Sequence, residues 1–346
     1  STEPKAWGGD TTLKKAYSFE PVPDVLNSQE ASHILGAQAN LWTEYVTTGS
    51  RAEYMVLPRM TALSEVVWSP VSTRDWEHFS RRVNQLFNRF DLLGWNYSEG
   101  SFQVEMGARY DPGENAVVVT LTSEQPDQVI RYTLDGSDPS PGSMAYEKPF
   151  VLDETTHVKA AIMRDGNIAG NVSSKTVLIH QASGKNVQYR TEYSSKYDAG
   201  GVYALVDGIK GTRNYSDGHW QGFEGHDMEV IIDLGGVYEI TRMSVGFLQR
   251  NQSWIFLPEA VAFALSEDGE AFTTVGDIMN DIPDNEPGTV LKDFEILIKQ
   301  KSARYVKIHA MNRGVCPPWH LGAGGTASLF MAETRVENPI LLANRT

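Results

Sequence analysis

The feature that most limits the fold is a change of apolar rhythm near residue 98. Before it, apolar side chains recur at helical spacing; after it they alternate. Between residues 101 and 180 no helical pattern survives. Alternation returns at 117–121, 129–133 and 158–162, separated by turns rich in Pro, Gly and Asp. A chain of 346 residues with such a break is expected to form two or three domains, a helix-bearing piece first and all-β pieces after it.

In the first piece, Pro4, Gly8, Gly9, Pro21 and Pro23 break up residues 1–30 and leave room for a short helix at 11–17. His33-Ile34-Leu35 reads as the end of a buried strand leading into Gly36-Ala-Gln-Ala-Asn-Leu-Trp-Thr-Glu-Tyr45. In extended geometry Trp42 and Glu44 share a face. An aromatic plate beside an acceptor-only carboxylate suits a sugar, whose C–H faces stack while its hydroxyls donate. The same residues equally suit an interior strand end with Trp42 in the core and Glu44 in solvent. A helix is expected over 51–68, with Pro58 tolerated in its first turns. A second follows a capping box in Ser72-Thr-Arg-Asp75, with Trp76, Phe79, Val83, Leu86, Phe90 and Leu93 on one face and Gly94 as its stop. Strand, helix, helix is the grammar of an α/β domain, but only a fraction of one.

The next 80 or so residues read as a small β-sandwich, its most specific piece being Ile130-Arg-Tyr-Thr-Leu-Asp-Gly-Ser-Asp-Pro139. Ala182-Ser-Gly-Lys185 reads as a linker into a second all-β segment, with strands expected at 228–234, 240–247, 260–266, 304–310 and 327–336. Loops at 214–223, 249–254 and 312–320 mix aromatic with polar groups, and recognition residues concentrate on such loops.

A net charge of −14 argues against nucleic acid and anionic membranes as partners and is compatible with a neutral ligand. Cys316 is the only cysteine, which excludes an internal disulfide and any Cys-based zinc site. No apolar run approaches the ~20 residues of a membrane-spanning helix. The first residues carry no signal-peptide pattern and read like the middle of a longer protein. No nucleophile elbow, phosphate loop or dinucleotide fingerprint occurs.

Five stretches of the first piece resemble the C-terminal part of a β-N-acetylhexosaminidase of glycoside hydrolase family 20. They are Trp7-Gly-Gly-Asp-Thr-Thr-Leu-Lys-Lys-Ala-Tyr-Ser-Phe-Glu-Pro21, Leu35-Gly-Ala-Gln-Ala-Asn-Leu-Trp-Thr-Glu-Tyr45, Tyr54-Met-Val-Leu-Pro-Arg59, Ala62-Leu-Ser-Glu65 and Trp68-Ser69. Through Tyr132-Thr-Leu-Asp-Gly-Ser-Asp-Pro139 the middle is similar to the β-sandwich appended to chitobiases. The last part resembles an F5/8 type C (discoidin) domain at Leu205-Val-Asp-Gly208, Asp233-Leu-Gly235, Leu265-Ser-Glu-Asp-Gly269 and Ala303-Arg-Tyr-Val-Lys307. The implied organisation is the end of a (β/α)8 barrel at 1–97, a chitobiase-type β-sandwich at 98–181, a discoidin-like sandwich or jelly roll at 182–338 and a tail at 339–346.

The resemblance implies that Trp42 belongs to the wall around a terminal N-acetylhexosamine and that Glu44 accepts from its outer hydroxyls. The family's hydrolysis is retaining and substrate-assisted, and needs no cofactor. The acetamido oxygen attacks the anomeric carbon, an Asp orients that group, and the adjacent Glu protonates the leaving oxygen. The family's His-x-Gly-Gly-Asp-Glu pattern has no counterpart here. Asp153-Glu154 reads as a solvated turn, and Gly8-Gly9-Asp10 lacks the flanking His and Glu. No catalytic residue is therefore assigned, and the chain is expected to be inactive without the missing barrel. In the discoidin-like loops Trp220, Trp254 and Trp319 are candidate sugar-stacking plates, with Arg250, His219 and His320 as hydrogen-bonding partners, although one or two such Trp commonly plug the core. Asp207, Thr212 and Glu333 loosely match the family's structural calcium site. The alternative to a hexosaminidase portion is a carbohydrate-binding accessory unit for galactose- or hexosamine-bearing glycans. Either reading implies a secreted, periplasmic or cell-surface parent.

Overall fold

The computed structural model describes residues 11–43, 46–114 and 116–338. Five helices come first: α1 (Leu13–Tyr17), α2 (Ser28–Ala31), α3 (Gly49–Val56), α4 (Arg59–Trp68) and α5 (Trp76–Leu93). Fourteen strands follow: β1 (Val104–Asp111), β2 (Ala116–Ser123), β3 (Ile130–Thr133), β4 (Met144–Ala145), β5 (Phe150–Leu152), β6 (Thr156–Arg164), β7 (Asn167–Val177), β8 (Asn186–Tyr189), β9 (Gln221–Glu224), β10 (Met228–Gln249), β11 (Ala260–Ser266), β12 (Thr273–Met279), β13 (Val290–Ala310) and β14 (Ser328–Glu337).

The chain divides into two compact units. The first holds Ser1–Gly107, Thr120–Pro149 and His157–Lys175. Within it, Thr12 caps α1 by accepting from the Lys15 amide at 3.2 Å. The Tyr17 ring then stacks on Phe79 of α5 at 4.4 Å. The expected helix over 51–68 is in fact two, α3 and α4. Pro58 crowds the residue before it, so Leu57 turns extended (ψ 138°) and ends α3. Asp75, not Ser72, caps α5: its Oδ1 accepts from the His78 amide at 2.6 Å. The buried face of α5 is Phe79, Val83, Phe87 and Phe90, while Leu93 is exposed, and Gly94 ends the helix in the left-handed conformation (φ 67°) that it adopts without a Cβ clash.

The buried strand expected at 33–35 is not found. Those residues are irregular and exposed, Leu35 to 96%, and no strand occurs among the described residues before Val104. The helices are present, but a remnant of a (β/α)8 barrel is not seen. The middle segment is all-β as expected, with the sheet β4-β3-β6-β7 and the three-stranded sheet β1-β2-β5.

The second unit holds Ala108–Val119, Phe150–Thr156 and Thr176–Thr346. Its sheet runs β12-β11-β13-β10-β14-β9, with β8 also on β10. Two strands of about twenty residues, β10 and β13, pair antiparallel along their lengths, with register shifts between Asp233 and Tyr238 and between Ile240 and Arg242. Before those shifts β10 pairs with β8, and after them with β14, so the long β10–β13 pair bends through both layers of a sandwich. Met228, Val230, Ile232, Val245, Phe247, Phe263 and Phe294 fill the space between. The expected linker at 182–185 is part of this core: Ala182 is fully buried and the Gly184 amide donates to the Val206 carbonyl.

Candidate functional site

The recognition loops of the second unit meet at a turn just after β10. Asn251 anchors the turn by donating its side-chain amide to the Asp284 and Glu286 carbonyls at 3.3 and 3.2 Å. Its own carbonyl lies 2.7 Å from Nε2 of His320. The Gly322 amide donates to the other His320 nitrogen, Nδ1, at 3.0 Å, which leaves Nε2–H as the donor to Asn251. Arg313 ties in the 281–289 loop through Asp284 at 2.9 Å, and its guanidinium lies over Phe256.

Trp254 closes this turn with φ 64° and ψ 21°, a left-handed backbone that bulky residues rarely adopt. The Trp254 carbonyl accepts from the Ser328 amide at 2.9 Å, which fixes the strained turn to β14. A Cβ on Gly322 or Gly325 would fall 2.3 or 2.5 Å from the indole, so the two glycines are the floor on which the ring lies. Trp254 is 42% exposed. Trp319 is 48% exposed and meets His320 edge-on at 5.6 Å, as Trp254 does at 5.9 Å.

The other predicted residues have different places. Trp220 is only 3% exposed, packs against Gly211, and spends its indole N–H on the Thr212 carbonyl at 3.0 Å; it is a core plug and offers no face to a ligand. His320 is buried and both ring nitrogens are used within the protein. His219 is half-buried on the 211–219 loop. Arg250 reaches this cluster, stacked over Tyr215. Sequence reasoning missed Gly322, Gly325 and Tyr215. The run Gly322-Ala-Gly-Gly325 was the available signal for the floor.

Two of the three predicted metal ligands meet. Glu333 is 2% exposed, with Oε1 2.5 Å from Nε2 of His180 and Oε2 accepting from the Gly208 amide at 2.9 Å. The Ala182 amide donates to Nδ1 of His180 at 3.2 Å, which makes Nε2–H the donor to Glu333. Burial first, and then the negative charge of Asp207, holds the Glu333 carboxyl well above the usual range. Thr212 is exposed on the following loop. Its carbonyl accepts from Trp220, and its hydroxyl accepts from the Asn214 amide at 3.1 Å. Among the described residues no cluster of three or more His, Cys, Asp or Glu side chains is arranged to hold a metal.

In the first unit Trp42 stands 71% exposed on an irregular segment, while Glu44 lies outside the described residues. Asp153 and Glu154 are exposed in the turn between β5 and β6, as a solvated turn requires. Among the described residues no helix is long and apolar enough to cross a membrane.

Comparison with known proteins matches the catalytic domain of glycosyl hydrolase family 20 to residues 1–71, the Fn3 associated family to 119–177 and the F5/8 type C domain to 186–325. A beta-hexosaminidase of Porphyromonas gingivalis is 32% identical over 167 residues, 48% of this chain and 21% of that protein. A beta-N-acetylhexosaminidase of Cellulomonas fimi is 34% identical over 91 residues, 26% of this chain and 18% of that protein. The chain thus spans about a fifth of the length of these relatives. Among solved structures, a Clostridium perfringens module in complex with GalNAc-β-1,3-galactose is 21% identical and covers 44% of this chain and 93% of its own, with a TM-score of 0.29. The lectin domain of lectinolysin complexed with Lewis B antigen is 17% identical, covers 46% and 96%, and has a TM-score of 0.30. In chain order, then, the chain is similar to a segment of the glycosyl hydrolase family 20 catalytic domain, to the Fn3 associated family and to the F5/8 type C domain.

Proposed function

We propose that the chain is a portion of an exo-acting, substrate-assisted retaining β-N-acetylhexosaminidase, and that its F5/8 type C domain is the glycan-binding accessory of that enzyme. Support for the first half is the family 20 match together with relatives named as hexosaminidases. In this reading Trp42 and Glu44 line the subsite for a terminal N-acetylhexosamine, and the Asp-Glu pair that does the chemistry lies outside this chain. Incubation with an aryl N-acetylglucosaminide is expected to give no turnover above buffer; turnover by a preparation free of host enzymes would overturn it. The parent is expected to be secreted, periplasmic or on the cell surface.

The observation that carries the glycan-binding half is Trp254, half-exposed on a left-handed backbone with its indole lying on Gly322 and Gly325. A flat, pre-set aromatic face costs little ordering on binding and accepts the C–H face of a pyranose. Trp319, exposed on the neighbouring loop, is proposed as a second contact. Weak saturable binding of galactosides or N-acetylhexosaminides that Trp254→Ala abolishes supports the reading, and silence across both classes contradicts it.

A structural Ca²⁺ at Asp207 and Glu333 belongs to the same proposal. Two carboxyls forced together out of water are the hard oxygen donors that such an ion takes, and its charge would relieve their repulsion.

A further inference from the structure

The sequence holds five Asp-Gly pairs, at 135–136, 165–166, 207–208, 217–218 and 268–269. In such a pair the glycine nitrogen can attack the aspartate side chain, because no Cβ on the glycine hinders the approach. Attack needs a free carboxyl and a backbone able to turn toward it. Four of the five pairs deny at least one of these.

Asp135 accepts from the Ser137 amide and hydroxyl at 3.0 and 2.6 Å, and Asp217 from the Thr212 and His219 amides at 2.6 and 3.0 Å. Asp207 is buried and accepts from the Ile209 amide at 2.8 Å, while the Gly208 amide is committed to Glu333. Asp268 accepts from the Ser266 hydroxyl and from the Glu270 and Ala271 amides, and the Gly269 amide donates to Ser266 at 2.9 Å. Hydrogen bonds, first of all from the Ser137 hydroxyl and from the Ala271 amide, hold the Asp135 and Asp268 carboxyls below the usual carboxylate range. That keeps them in the ionised form, which is a poor target for attack.

Asp165-Gly166 is different. It is the two-residue tip between the paired strands β6 and β7, with both residues at positive φ, 52° and 80°. Among the described residues the Asp165 carboxylate accepts no hydrogen bond. Its side chain is 91% exposed and pairs only loosely with the adjacent Arg164 guanidinium, at 3.9 Å. Gly166 has no atom within 4 Å of the place a Cβ would take. A hairpin tip opens without disturbing the strands behind it, and opening relieves the left-handed backbone of Asp165.

We propose that Asp165-Gly166 is a site of spontaneous covalent modification, at which aspartate in the folded chain converts to isoaspartate. The Gly166 nitrogen bonds to Cγ of the protonated carboxyl, and its proton leaves with the carboxyl hydroxyl as water, closing a cyclic imide. Water then adds back at one of the two imide carbonyls. Breaking the new N–Cγ bond restores aspartate. Breaking the original peptide bond leaves the chain running through Cβ and Cγ, one methylene longer, with a free α-carboxylate. Water is the only co-reactant. The lengthened tip acts on α5, because Arg164 donates to Asn88 at 2.5 Å and lies over Phe87 and Phe102.

The test is prolonged incubation of the folded chain near neutral pH, with isoaspartate located by peptide mapping and electron-transfer fragmentation. It is expected to accumulate at Asp165 at least about tenfold faster than at any of the other four pairs, a ratio set by the low cost of opening a hairpin tip. In urea, where all five pairs are free, the rates are expected to converge. Asp165→Ser, with folding checked by circular dichroism, is expected to remove the fast phase of methyl transfer from S-adenosylmethionine by an isoaspartyl methyltransferase. A native rate at Asp165 no higher than at the other pairs, or a fast phase that survives Asp165→Ser, overturns the proposal.

Discussion

The indole of Trp254 lies across Gly322, so closely that a Cβ there would stand 2.3 Å from its Cζ2 atom. The left-handed backbone that aims the ring costs on the order of 1–3 kcal/mol. Hydrogen bonds from the Trp254 amide to Asn251 and from the Ser328 amide to Trp254 hold it in place. Strain of this kind, ending in an exposed aromatic ring, is the observation on which the proposed glycan-binding role of the loop rests.

Gly322→Ala tests that relationship. Gly322 is not among the glycines with positive φ, so its backbone admits alanine, and the half-exposed indole can swing away. Stability is expected to change by less than about 1 kcal/mol. Tryptophan emission should shift and glycan affinity should fall about tenfold or more. A variant with unaltered emission and binding would show that the floor does not set the ring.

Gly211→Ala is the control with the opposite outcome. There a Cβ would fall 2.1 Å from Cε2 of Trp220, which is buried and bonded to Thr212 and has nowhere to move. Overpacking of a filled core costs typically about 1–3 kcal/mol. A denaturant midpoint equal to that of the parent protein would contradict the assignment of Trp220 to the core.

Glu333→Ala removes the acceptor of both His180 Nε2–H and the Gly208 amide in a site closed to water. Breaking such a buried pair costs about 3–5 kcal/mol. The midpoint of urea unfolding should fall with an unchanged slope, whereas a loss below about 1 kcal/mol would mean that the pair is not a structural tie.

Calcium gives a separate readout at the same place. If Asp207 and Glu333 hold the ion, stability should rise by about 2.7 kcal/mol at a hundredfold excess over the dissociation constant, and chelation should reverse it. A melting temperature indifferent to calcium removes the metal from the account.

The bidentate pair of Asp233 and Arg304, at 2.8 and 2.9 Å, carries a pH prediction. Hydrogen bonding from Arg304 holds the Asp233 carboxyl below the usual carboxylate range, against the opposing effect of burial. A lowered folded-state pKa means that the pair contributes above the unfolded value of about 3.9, and that the contribution is lost as pH falls through the folded value. Arg304 is substantially exposed, so solvent screening keeps the contribution small. Arg304→Met should move the NMR titration of Asp233 upward and reduce stability only above about pH 4. An unmoved titration would refute the pairing.

Much of this architecture is legible in the residues, and the failures have local causes. Helices α1 and α5 and the Gly94 stop follow from caps and spacing. One helix was expected where two exist because Pro58 acts on Leu57 before it, not only on its own turn. His33-Ile34-Leu35 looked like a buried strand because an apolar run signals burial without saying what would cover it; in the fold those side chains face solvent. Gly235-Gly236 interrupts the alternation and so predicts two strands where β10 is one, because pairing with β13 resumes beyond the irregularity. At the site, Trp220 and Trp254 lie in similar loops and cannot be told apart by their neighbours in sequence. What separates them is which glycine each ring meets in space, Gly211 in the core or Gly322 and Gly325 at the surface.

The most direct measurement of the central claim is a calorimetric titration of the chain and of its Trp254→Ala variant with galactosides and N-acetylhexosaminides. The account predicts weak saturable binding that the substitution abolishes while the melting temperature stays close to that of the parent. Binding that is unchanged by Trp254→Ala, or heat from neither sugar class, contradicts it.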